Sequence, residues 1–490
     1  MDEQENKAQE VFETMAVPKA VMKNALPAMA AMLMVLIYNL ADTFFIGQTH
    51  DALLVAAVSL ATPVFLLFMA VGSAFGIGGT SVISRALGQK RPEYARKVCS
   101  FCLWGCVIAG VVMTAAFLLF MDQILALIGA SDDTWAPTRT YLTIVSCGGV
   151  FVLISNCYSN VVRAEGESLK AMTGQLLGNL LNIVLDPILI LAAGWGIAGA
   201  AAATLIGNLV GAGYYLLYFA RGGSSLSVSP RLFTVREGVF TSVMAIGIPA
   251  ALGSLLMSVS QIIINAQMSG YSDMAIAGMG VAMKVVTITG MVCMGLGQGV
   301  QPLLGYCVGA KLWERFRSVF KFSLVFAFVL GTVLALLCFV FAEQIVGAFL
   351  TDEAAFDFAV DFSRILLTTS WLFGVFYVLT NALQAMGAAT ESLVINLSRQ
   401  GIVFIPALFV MEAVMGLYGL VWAQPVADAV SIALALALYT RTYRRMSAES
   451  RADAAKVAKE EAGANAEADA PAGSLEGAGA PGDAAKAPEA

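Results

Sequence analysis

Polar residues break the chain's apolar sequence at regular intervals, leaving twelve stretches of about 20 or more residues, the length a helix needs to cross a bilayer. They lie near 24–46, 53–84, 95–120, 138–159, 168–193, 195–219, 238–265, 274–304, 316–341, 360–383, 391–412 and 417–440. This pattern predicts an all-α polytopic membrane protein. The polar breaks alternate in sign: Lys90, Arg91, Arg96 and Lys97 follow the second stretch, Arg221, Arg231 and Arg236 the sixth, Lys311, Arg315, Arg317 and Lys321 the eighth, and Arg441, Arg444 and Arg445 the twelfth. The intervening breaks carry Asp51, then Asp122, Asp132 and Asp133, then Asp273, then Glu343, Asp352, Glu353 and Asp357. Because basic loops stay in the cytoplasm, both termini are expected there, and the alternation supports an even number of spans.

The pattern also repeats. ALPAM at 25–29 matches GIPAA at 247–251, and FGIGGTSVISRALGQK at 75–90 matches LGQGVQPLLGYCVGAK at 296–311. NVVRAEG at 160–166 then matches NALQAMG at 381–387, and WGIAGAA at 195–201 matches MGLYGLV at 415–421. Four blocks in one order, at a nearly constant offset, imply a duplication. Six spans per copy leave both copies in the same orientation, which predicts a parallel repeat about an axis normal to the membrane. The expected organisation is a segment 1–23, an N-lobe 24–220, a linker 221–237, a C-lobe 238–446 and a tail 447–490. The linker RGGSSLSVSPRLFTVREG has the Gly, Ser and Pro content of an exposed connector. The Ala/Glu/Gly/Pro-rich tail is predicted to be disordered. Two six-helix lobes around a cleft form the architecture of an alternating-access transporter.

Composition agrees. The 490 residues are 59% hydrophobic and 13% charged, with mean hydropathy +0.79, whereas soluble domains carry about 25% charged residues. The opening MDEQENKAQEVFETM lacks the basic start of a cleavable signal, so the first helix is expected to stay in the membrane. A net charge of −6, with bases at helix ends, points to no nucleic-acid partner. Cys99-x-x-Cys102 is the only CxxC, and the sole histidine, His50, is distant, so the eight cysteines read as packing residues. With no GxxxxGK[ST], no GxSxG and one histidine, the chain is not expected to be an enzyme, and no cofactor is called for. The glycine-rich FGIGGTSVISRALG lies inside a span, where glycines serve close helix packing.

Candidate chemistry lies in the polar residues inside spans. Asp42, in NLADTFFIGQ, and Asp186, in LLGNLLNIVLDPILIL, are ionisable groups at depths where such residues generally face a water-filled cavity or a partner. A buried carboxylate holds its proton more tightly than one in water, and a second carboxylate nearby strengthens the effect. The other reading of Asp42, a helix-end residue bonded at the extracellular interface, follows from its nearness to Gly47. Asn182 and Asp186, four apart, share a helix face. Pro187 removes a ladder donor and frees carbonyls nearby. Thr204 adds a hydroxyl. These hard oxygen donors suit a proton or an alkali cation. The second half has no such acidic pair and presents Gln261, Asn265, Gln267, Gln298 and Gln301 instead. Lys284 either lines the cavity, pairs with an acid or anchors to backbone carbonyls. Asp428, near Pro425, has no evident charged neighbour along the sequence. The 22 Met and 28 Phe residues would give a cavity a deformable lining, although lipid-facing and core packing accounts for most of them.

Together, LPAMAAMLMVLIYNLADTFFIGQ, GTSVISRALGQ, NVVRAEG, NLLNIVLDP and GWGIAGAAAAT resemble the multidrug and toxic compound extrusion (MATE) transporters, in the DinF-like branch, over about 20–445. The resemblance implies twelve helices in two lobes around a central cavity, exporting organic cations or other amphiphiles against inward H+ or Na+. It places the cation site, Na+ included, at Asp42, Asn182, Asp186 and Thr204. Tyr38, Tyr141, Asn156, Asn160, Gln261, Asn265, Lys284 and Gln298 are expected to line the substrate cavity. Where some branches carry acids in the seventh, eighth or tenth spans, this chain has Gln261, Gln267 and Lys284, so a C-lobe cation site is not expected. The protein is expected to lie in the cell (inner) membrane and to function as a monomer. Two other readings stay open: a lipid-linked saccharide flippase, which several cavity-facing Arg or Lys residues would favour, and a non-transporting scaffold that binds partners through its tail.

Overall fold

The computed structural model describes residues 9–49, 51–350 and 353–468. His50, Asp352 and the end of the tail from 469 lie outside the described residues. Among those described, ten helices are long and apolar enough to span a bilayer, and two bent helix pairs bring the number of spans to twelve. The protein is an all-α, multi-pass membrane protein. It has two six-helix lobes.

The first span, Val17–Gly47, begins earlier than its apolar run because Ala16 caps it in an extended conformation and Pro18 occupies the first turn, where a missing N–H costs nothing. The second and third spans are Ala52–Gly88 and Pro92–Leu119. The fourth is broken: Asp132–Cys147 and Gly149–Ala164 meet at 55°. The fifth, Ser168–Asp186, runs into a π-helical segment, Pro187–Ala192, and the sixth is Ile197–Ala220.

The C-lobe repeats the broken span and has a π-segment at a different position. Its regular spans are Val239–Met268, Asp273–Gly309, Trp313–Val340 and Leu417–Ala452. The tenth, like the fourth, is bent, by 47° between Ser370 and Phe373, and the eleventh, Ala389–Met415, contains a π-segment, Ser398–Ile402. Prolines at 27 and 249 lie inside the first and seventh spans. The chain turns with positive φ at Lys90 and at Lys311, at Gly166 and at Gly387, and at Gly196 and at Gly416. Each pair falls in one of the matched sequence blocks, so the repeat extends to backbone conformation.

The lobes meet along two equivalent seams at the ends of the spans near Lys90 and Lys311. A methyl added at Gly247 of the seventh span would lie 2.0 Å from the Ala74 carbonyl oxygen of the second, and one at Gly78 would lie 2.1 Å from that of Val243. The first span packs on the eighth in the same way, with Gly295 and Gly299 against the backbone of Met29 and Ala25. Small residues permit this backbone-to-backbone approach, the usual basis of tight helix contact in lipid.

Two connections differ from expectation. The linker is strapped down rather than exposed around Ser225 and Leu226, which are buried. The Glu165 carboxylate accepts from Ser225 N, Ser225 Oγ and Leu226 N at 2.9, 2.9 and 3.2 Å, and Trp104 Nε1 donates to the Val228 carbonyl at 3.2 Å. The expected disorder from 447 gives way to helix as far as Ala468. Ala, Glu, Lys and Arg, abundant in AESRADAAKVAKEEA, are strong helix formers. The described residues through Thr442 form one compact unit, and those from Tyr443 to Ala468 a second.

Candidate functional site

The fourth, fifth and sixth spans bring the N-lobe's polar residues to the first. Asn182, Asp186 and Thr204 are all buried. The four-residue spacing does place Asn182 and Asp186 on one face, and the Asn182 amide donates to Thr204 Oγ1 at 3.3 Å. Asp42 of the first span lies near enough to Asp186 to interact with it electrostatically. Tyr38 and Tyr141 both approach Thr204 and Asp42. Asp186 ends the regular helix of the fifth span, and Pro187 opens the π-segment that follows. Such segments recur at functional sites because they re-aim side chains and loosen the ladder.

The donor inventory is one-sided. Asp42 Oδ1, Asn182 Oδ1 and both Asp186 oxygens are buried acceptors with no hydrogen-bond donor from the protein. Leaving buried acceptors unpaired costs about 1–3 kcal/mol each, more when charged. A proton or alkali cation would satisfy them with hard oxygen ligands. No cluster of three or more His, Cys, Asp or Glu suited to a metal ion occurs among the described residues. The eight cysteines are free, and all but Cys147 are buried.

The remaining cavity candidates are not brought to this site. Asn156 bonds across to the second span, to the Met69 carbonyl at 2.9 Å and Ser73 Oγ at 3.1 Å. Gln261 donates to Asn265 one turn along the seventh span, at 3.2 Å. Lys284 is exposed, with its ammonium 5.3 Å from the centre of the Phe349 ring, and it has no carboxylate partner among the described residues.

Asn160 and Gln298 belong to a lobe-to-lobe contact built on Arg163, which sequence reading passed over. The fully buried Arg163 guanidinium donates through Nη1 to Gln298 Oε1 at 2.8 Å and to Asn160 Oδ1 at 3.2 Å. In the repeat, Gln384 occupies the matching position, and its carbonyl accepts from Ser81 of the other lobe. The N-terminal segment closes the same face: Phe12 is fully buried, its ring 5.0 Å from Tyr306, and Arg315 donates to the carbonyls of Phe12 and Met15. A charged residue within the buried NVVRAEG block was the signal available for Arg163.

A family model described as MatE matches residues 27–188 and 249–410, one copy in each lobe. The chain belongs to the MATE family. It is similar to the multidrug export protein MepA of Staphylococcus aureus (strain MRSA252), 33% identical over 429 residues, 87% of this chain and 95% of the relative. MepA of Staphylococcus saprophyticus is 32% identical over the same shares. A crystal structure of MATE in complex with MaL6 superposes with a TM-score of 0.84 at 23% identity, covering 90% of this chain and 98% of that one. An outward-facing multidrug resistance MATE family transporter of the MOP superfamily superposes equally well, over the same shares and at the same identity. At that identity these structures bear on the fold alone. MATE membership makes the protein a membrane transporter and not an enzyme.

Proposed function

We propose that this MATE protein is a secondary active multidrug exporter of the bacterial cell membrane, antiporting small amphiphilic, chiefly cationic compounds against inward H+ or Na+. The observation that carries the coupling reading is the set of buried acceptor oxygens on Asp42, Asn182 and Asp186 without a protein donor. One monovalent cation there neutralises a carboxylate and satisfies several oxygens together, so loaded and empty N-lobes differ in the cost of burial. That difference is what a coupling ion needs in order to favour one orientation of the lobes. Each charge moved down 100 mV supplies about 2.3 kcal/mol.

Both termini are assigned to the cytoplasm by the basic connections. The glycine seams, Arg163–Gln298 and the N-terminal segment then close the cytoplasmic side, an arrangement suited to releasing substrate outward. Export of multiple drugs, the activity in the MepA name, fits the transporter membership of the chain and its 33% identity to that protein. The protein acts as a monomer, each chain containing both lobes.

The test is efflux of ethidium from proteoliposomes under an imposed H+ or Na+ gradient, comparing the wild type with Asp42→Asn. Efflux that follows one of the gradients and disappears in a folded Asp42→Asn variant is expected, and it identifies the ion. Gradient-driven efflux at the wild-type rate in the variant removes Asp42 from coupling.

A further inference from the structure

The duplication pairs each span of the N-lobe with one of the C-lobe, and the cation site sits on the first, fourth, fifth and sixth spans. Its counterpart belongs on the seventh, tenth, eleventh and twelfth, where the structure holds a buried polar cluster of different charge. Arg399, on the π-segment of the eleventh span, donates through Nε to Asp428 Oδ1 of the twelfth at 2.7 Å. The two side chains are 12% and 1% exposed. Gln424 Nε2 also donates to Asp428 Oδ1, at 3.0 Å, and Thr369 of the tenth span donates to Oδ2 at 3.4 Å. From the seventh, Ser260 Oγ donates to the carbonyl of Gln400, beside Arg399. Around the guanidinium stand the rings of Phe373, Phe376 and Tyr377, with centres 4.7, 4.6 and 5.8 Å from Cζ.

We infer that this cluster is the C-lobe's cation site, permanently filled by a cation tethered to the chain. Asp428 faces only donors: a guanidinium, an amide and a hydroxyl. The N-lobe site is the reverse, its acceptors outnumbering their donors. A planar guanidinium satisfies a carboxylate by charge and hydrogen bond together and stacks on aromatic faces, so a mobile monovalent cation cannot displace it. The C-lobe therefore stays electrically constant through the cycle, and the chain loads a single coupling cation, in the N-lobe. The coupling consequence rests on the proposed reading of Asp42 and its neighbours; the tethered pair does not.

Removing the tether should open a second cation site at Asp428. Purified full-length protein is compared as wild type, Arg399→Met, Arg399→Gln and Arg399→Met with Asp428→Asn. Bound cation per chain is counted by equilibrium dialysis of radioactive Na+ and by difference proton titration across the neutral range. The expected result is one additional cation per chain in either single variant and none in the double variant. A single variant that folds poorly should gain thermal stability as Na+ or acidity rises, since a ligand that binds the folded state stabilises it. No added cation and no such rescue overturns the tethered-cation inference. An added cation in the variants with none bound by the wild type upholds it while overturning the cation reading of the N-lobe. Cation binding by the wild type, unchanged in number in the Arg399 single variants but lost in the double variant, would place the site in the wrong lobe and overturn both.

Discussion

The seams between the lobes give the sharpest numerical expectation. Alanine at Gly247 would put a methyl 2.0 Å from the Ala74 carbonyl oxygen, where ordinary contact begins at 3.4 Å, so the second and seventh spans must part by about 1.4 Å (3.4 minus 2.0). The contact is backbone, and no side-chain rotation relieves it. Overpacking of this kind costs about 1–3 kcal/mol, which shifts the balance between the closed seam and an open one by about 5–150-fold. Hydrogen–deuterium exchange should report it as faster exchange over residues 74–88 and 239–250 in Gly247→Ala, and likewise in Gly78→Ala. Gly280→Ala is the control, on the eighth span with nothing within 4 Å of the added methyl. Seam exchange unchanged in both variants, or equally raised by the control, would refute the claim that glycine permits this closure.

Two further outcomes concern the flanking segments. Glu165→Ala strips the acceptor from Ser225 and Leu226, at about 1–3 kcal/mol for each group left buried and unpaired; the linker around 224–229 should be nicked severalfold faster by a nonspecific protease, and an unchanged rate would contradict the strap. In the N-terminal segment, burial pushes the Glu13 carboxyl up, but the Tyr306 hydroxyl, Gln9 and the charges of Lys90 and Arg315 outweigh it and leave it below its ordinary 4.5. A lowered acid stabilises above its unfolded value and loses that contribution as pH falls through the lowered one. Protease protection of residues 9–16 should therefore hold through neutral pH and fall only in acid, and Glu13→Gln should remove that acid step.

Spans, lobes and the N-lobe polar cluster were legible because each rests on local pattern: apolar length, alternating loop charge, matched blocks, and a four-residue spacing from Asn182 to Asp186. What escaped depends on packing between distant segments. Asp428 read as isolated because Arg399 lies 29 residues away, and only the folding of the eleventh span onto the twelfth joins them. Arg163 and Gln298, 135 residues apart, meet only through the lobe interface. Composition likewise made the linker look exposed, since it cannot show a carboxylate at Glu165 waiting to hold two backbone amides.

The two halves have kept the same backbone and parted in chemistry. Bent fourth and tenth spans, and positive φ at Lys90 and Lys311, at Gly166 and Gly387, and at Gly196 and Gly416, are shared. Charge at the equivalent polar clusters is not. A motion that exchanges which end of the cleft is closed needs matched hinges and seams in both lobes, because each lobe must pivot against the other through an equivalent path. Coupling needs the opposite: if both lobes titrated alike, loading one cation would leave the other carboxylate unpaired and the reorientation half-driven. On the proposed reading of the N-lobe site, tying Asp428 to Arg399 removes that second variable and leaves the charge state at Asp42 and Asp186 to bias the two-lobed frame.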